Sequence, residues 1–103
     1  MGRRGYLDDA FTAVVWRHEG PAAWHFVTLP EDLADALRAL HGDAQGAFGQ
    51  LAVAATIGAT SWRTSLFYDT KRGSFLLPVK ADVRRREGLA DGDRVEVALE
   101  VRA

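Results

Sequence analysis

Lys80 and Arg84 stand four residues apart in the polar stretch Lys80 to Glu87. On a helix that spacing stacks both side chains on one face. An ammonium beside a guanidinium can hold a single phosphate or carboxylate, the guanidinium through two parallel hydrogen bonds. Lys80 also falls near the start of the expected helix, where unpaired backbone N–H groups and the helix dipole favour an anion. The plainer alternative is that these cations pair with Asp82, Asp91 or Asp93 on a mixed, solvated surface. Trp62 and Arg63 belong to a strand-like run, and a regular strand sends Arg63 to the face opposite Trp62. Trp62, Arg63, Lys80 and Arg84 are therefore the candidate set for binding an anionic ligand.

Other chemistries find little support. The chain has no cysteine, which excludes disulfides, thiol catalysis and zinc–thiolate sites. His18, His25 and His41 share no metal-ligand spacing and read as structural or surface residues. Ser61 and Ser65 lie inside a strand between large side chains, with no nucleophile elbow to present either hydroxyl. Gly46, Gly49 and Gly58 form no phosphate loop ahead of a helix. The expectation is a protein that is not an enzyme and needs no cofactor or metal.

The formal charge of −1 over 103 residues argues against a surface built all round for nucleic acid. That charge is unevenly placed. Between Thr60 and Gly88, Arg63, Lys71, Arg72, Lys80, Arg84, Arg85 and Arg86 oppose Asp69, Asp82 and Glu87, a local balance of +4 against −5 elsewhere. Such asymmetry can make one basic face on a nearly neutral protein. Eleven arginines against two lysines read first as the mark of a GC-rich genome. No apolar run approaches the ~20 residues of a membrane span, and the N-terminus lacks a signal-peptide core. A cytoplasmic protein is the expectation.

These residues must be positioned by a small fold. The pattern predicts one domain over residues 1–103, with a loose N-terminus at 1–8 and a core from 9 to 102. Strands are expected at Ala10–His18 and Ala23–Leu29, joined by a Gly20-Pro21 turn into a hairpin. Pro30, Glu31 and Asp32 open a helix whose stripe is Leu33, Ala36, Leu37 and Leu40, with Gly42 as its stop. A loop at Asp43–Gly49 leads to a strand at Gln50–Ile57, where Ala52 and Ala54 suggest cover on both faces. Gly58-Ala59 turns into a strand at Thr60–Tyr68. A further strand runs from Ser74 to Leu77, with Pro78 ending it. Gly88 caps the short second helix, with Leu89 beyond it. Val95, Val97, Leu99 and Val101 alternate with polar residues in the last strand. Six strands and two helices indicate a mainly β protein, a small barrel or a curled antiparallel sheet. Trp16, Trp24 and Trp62 are read as filling for that barrel rather than as a stacking platform.

The block TIGATSWRTSLF, Thr56 to Phe67, and then FLLPVKADVRRREGLADGDRVEVALEV, Phe75 to Val101, resemble the bacterial domain of unknown function 1905 family. FTAVVW from Phe11, AWHFVTLP ending at Pro30, and Gly46-Ala47-Phe48-Gly49 extend the resemblance over nearly the whole chain. Tyr68 stands where the family pattern has a proline, and Ala59 and Ala47 where it has glycine and tryptophan. The resemblance implies a double-split β-barrel of about six strands, distantly similar to the AbrB-type swapped-hairpin transcription factors. Relatives of the family also occur beside a domain linked to bacteriocin protection. Fold similarity by itself does not transfer function. The first expectation is a binding module for an anionic ligand or a macromolecular partner. The alternatives are DNA binding by an AbrB-like dimer and a protein-interaction role in a bacteriocin-protection setting. The partner would be an anionic small molecule or nucleic acid and not a membrane, and the chain a monomer or homodimer.

Overall fold

Alternating apolar residues build most of the sheet. The computed structural model describes residues 8–20, 24–46 and 50–102. Along it the chain forms β1 (Asp8–Val14), β2 (Trp16–Arg17), β3 (His25–Thr28), α1 (Glu31–Gly46), β4 (Gln50–Ile57), β5 (Thr60–Asp69), β6 (Ser74–Pro78), α2 (Ala81–Glu87) and β7 (Arg94–Val101). The sheet order is β1-β7-β4-β5-β6-β3-β2, and every pairing is antiparallel. β1 and β2 thus lie at the two ends of the order, yet Val15 alone separates them in the chain. The sheet therefore curls into a nearly closed barrel, joined through Val15. Among the described residues seven strands replace the six expected, because the run Ala10–His18 divides there. Its first part pairs with β7 and its second with β3. Val15 belongs to neither ladder. Its N–H donates to the Asp93 carbonyl at 2.8 Å, and its own carbonyl accepts from Gly92 N–H at 2.7 Å.

The inward faces follow the alternation. Val95, Val97, Leu99 and Val101 of β7 meet Leu51, Val53, Ala55 and Ile57 of β4 and Trp62 and Leu66 of β5. Ala52 is exposed and Ala54 half-buried, so β4 is covered on its inner face only. This corrects the expectation that both faces are enclosed. Helix α1 seals the barrel with Leu33, Ala34 and Leu37. Ala36 is exposed instead, because the buried stripe lies under Leu33 and Leu37 and takes in Ala34. The side chain of Leu40 lies outside the described residues, as do residues 1–7, 21–23 and 47–49. Asp8, expected in the loose terminus, is already paired with Glu100. The helix also runs past Gly42 to Gly46, since an interior glycine costs only about 1 kcal/mol against alanine.

Two connections position the candidate residues. Gly58 has φ +59° and Ala59 has no positive φ, the backbone signature of a two-residue turn with glycine at its first central position. Alanine therefore fits at position 59. Helix α2 ends as expected: Gly88 is left-handed at φ 65°, ψ 41°, and Leu89 N–H reaches the Arg84 carbonyl. Glu87 ties the helix to the turn, accepting from Thr60 Oγ1 at 2.6 Å and from Ala59 N–H at 3.3 Å.

Candidate ligand groove

β6 is apolar on both faces. Phe75 and Leu77 point into the core, while Leu76 and Pro78 point outward beside Phe67 and Phe26, their partners across the ladders. Phe26 and Leu76 are only 7% and 9% exposed, yet neither belongs to the core cluster. They are the floor of a second apolar cluster on the outside of the barrel. Trp16, His18 and Trp24 pack their rings on Phe26 at 5.3, 6.1 and 6.3 Å. Trp24 is 62% exposed and Trp16 half-buried. Of the three tryptophans expected as filling, only Trp62 is buried in the core. The other two sit on the outward face because they share the parity of Phe26.

A fork in the sheet makes the groove. The β5–β6 ladder ends at Phe67↔Leu76, although β6 continues to Pro78, one residue beyond its expected end. Leu76 and Pro78 have the same parity, so both direct their backbone polar groups toward β5. Proline has no N–H to give there, and the ladder stops. The Trp62 indole crosses the gap from the inner side and donates from Nε1 to the Pro78 carbonyl at 3.3 Å. On the other side of β6, Val79 N–H donates to the His25 carbonyl at 2.9 Å. The fork opens into a cavity of about 630 Å³, within the range of small-ligand sites. Its walls include Trp24, Phe26, Phe67, Leu76 and Pro78, with Thr64 of β5 on one side and Lys80, Ala81 and Arg84 on the other.

The cations of the basic segment are dispersed. Arg85 and Arg86 both pair with Asp82, at 2.6 and 3.2 Å. Arg72 pairs with Asp69 at 2.7 Å and stacks over the Trp16 ring at 4.2 Å. Lys80 and Arg84 come together on the groove, and among the described residues neither has a carboxylate partner. Asp91 and Asp93 instead accept backbone N–H groups, from Arg17 and Ala90. Arg84 is held in place by its Nε, which donates to the Val79 carbonyl at 3.2 Å, leaving its two Nη groups for a ligand. Lys80 is the N-cap residue of α2, a seven-residue helix too short to contribute much dipole.

Trp62 and Arg63 do not line the groove. Trp62 braces the fork from within, and Arg63 points outward from β5. The apolar walls were missed from sequence; the unbroken run Phe75 to Pro78, apolar on both faces of one strand, was the available signal. Among the described residues no cluster of three or more His, Asp or Glu side chains could hold a metal ion, and no helix is long and apolar enough to cross a membrane.

Fold and groove together define a class: a small, nearly closed antiparallel β-barrel with two helices and an apolar outer groove rimmed by cations. Residues 11–99 match the sequence profile of a domain of unknown function, DUF1905, and the chain belongs to that family. No curated protein matches the chain.

Proposed function

We propose that this domain is a non-enzymatic binding module whose ligand combines an apolar body with one anionic group. The observation that carries this is the position of Lys80 and Arg84, without carboxylate partners among the described residues, at the rim of an apolar cavity. An aromatic ring or short alkyl chain would fill the space between Trp24, Phe26, Phe67 and Leu76, and the acid would meet the ammonium and guanidinium. Burial of the body supplies most of the affinity, at about 25 cal/mol per Å². The charge pair supplies orientation. The family resemblance adds a double-split barrel and a bacterial source to this reading.

Duplex DNA binding by an AbrB-like dimer has less behind it. Such a dimer needs a continuous basic face, and three of the seven cations of the basic segment are held by Asp69 and Asp82. The test is a heteronuclear NMR titration with octanoate, 3-phenylpropanoate and their neutral amides. The acids should shift Thr64, Phe67, Leu76, Lys80 and Arg84, and the amides should bind roughly tenfold more weakly because the charge-assisted bonds are lost. Absence of shifts at those residues would remove the proposal.

A further inference from the structure

The fork leaves part of β5 with an open edge. Ile57 and Thr60 flank a two-residue turn and are paired, so they form a hydrogen-bonded pair. Alternation then directs the backbone groups of Trp62, Thr64 and Leu66 toward β4, and those of Arg63, Ser65 and Phe67 toward β6. Phe67 is met by Leu76. Ser65 would be met by residue 78, which is proline, and Arg63 lies opposite the point where the chain has left the sheet for α2. The β5–β6 ladder thus stops short of both Arg63 and Ser65 on this side. Two donors and two acceptors lie along the gap at the spacing of an edge strand, beside Thr64 and Phe67, the β5 residues that line the groove.

Resting on the reading that the groove takes an apolar anion, we infer that its ligand is the C-terminus of an extended peptide, added as a strand to β5 at Arg63 and Ser65. Strand addition uses the partner's backbone for affinity and a side-chain pocket for choice. Here the last side chain, apolar, enters the space between Phe26, Phe67 and Leu76. The terminal carboxylate lies on Lys80 and Arg84, and the preceding residues hydrogen-bond along β5. The Trp62 indole lies across the gap beneath, donating to the Pro78 carbonyl. An alkyl or aryl acid uses the same pocket and cations but leaves the β5 edge unpaired. That difference separates the two sources of the same anion.

The experiment uses acetylated tetrapeptides ending in valine, leucine, phenylalanine or tryptophan, each as free acid and as C-terminal amide. The acids are also made with N-methylated internal peptide bonds, and 3-phenylpropanoate serves as the small anion. Affinity is read by NMR titration and strand addition by amide hydrogen exchange. At least one acid should bind and slow exchange at Arg63 and Ser65. Amidation and N-methylation should each weaken it roughly tenfold or more, the worth of one or two charge-assisted or backbone hydrogen bonds. 3-Phenylpropanoate should bind without protecting either amide. If N-methylation has no effect, or if Arg63 and Ser65 exchange is unchanged while the acids still shift Lys80 and Arg84, strand addition is overturned and the anion groove stands. If no probe shifts Lys80 or Arg84, both readings fall.

Discussion

Asp69 joins two parts of the outer face. Its carboxylate takes the Arg72 guanidinium at 2.7 Å and the Lys71 N–H at 3.0 Å, and Arg72 in turn lies over Trp16. The hydrogen bond from Arg72, more than any other contact, holds the Asp69 carboxyl below its ordinary value of 3.8, against a smaller opposing effect of burial. A carboxyl whose pKa is lowered by folding stabilises the folded state fully above its unfolded value. That stability is lost as pH falls through the lower folded value. Because the pair is at the surface, its contribution is about 0–1 kcal/mol. The melting temperature of the wild type should therefore fall more steeply below pH 4 than that of Asp69→Asn, with the two curves separated above it. Parallel curves from pH 6 to pH 2 would show that the pair contributes nothing. Asp69, Lys71 and Arg72 were legible in the sequence only as charges of the basic segment, since nothing in spacing tells that Arg72 reaches a tryptophan more than fifty positions away.

Among the elements, β6 does most to create the groove, and it does so through one residue. Replacing Pro78 with valine restores an N–H on the side facing Ser65 and allows the β5–β6 ladder to continue by a pair. The new hydrogen bond is worth about 1 kcal/mol net. Losing proline's restriction of the unfolded chain costs about 0.4–1 kcal/mol, so overall stability should barely change. The groove should narrow: Ser65 amide exchange slows in Pro78→Val, and the binding of octanoate or 3-phenylpropanoate is lost. Unchanged exchange at Ser65 would mean that something other than the proline stops the ladder. Most strands, the second helix and its Gly88 cap were legible from alternation and turn residues, because those patterns are local. The division at Val15, the fork at Pro78 and the outward placing of Trp16 and Trp24 were not. Each depends on which strand lies alongside, and a single strand's alternation says only that two faces differ, not which face the barrel encloses. Lys80 and Arg84 could be named as a pair from their spacing, but the apolar walls that make them a site come from four separate strands and loops.

For the molecule as a whole, closure depends on Val15, the one residue through which the chain passes from one end of the sheet order to the other. It is fully buried in the core and contributes its side chain to the barrel interior and its N–H and carbonyl to the Gly92–Asp93 turn. Val15→Ala removes two buried carbons, about 1.6 kcal/mol by transfer and roughly 2 kcal/mol with the cavity left behind. For a chain of this size that lowers the melting temperature by roughly 10 °C. Val53 is equally buried, but it sits in β4 between two paired strands, so Val53→Ala should cost a similar amount without touching the closure. Hydrogen exchange separates the two effects. In Val15→Ala the amides of β1 and β2 should open well before the rest of the sheet, because each has a hydrogen-bonded neighbour on one side only. In Val53→Ala the loss should spread over the sheet at the global unfolding free energy. If the two variants show the same exchange pattern, the barrel is held shut by its interior packing as a whole and the junction at Val15 has no separate role.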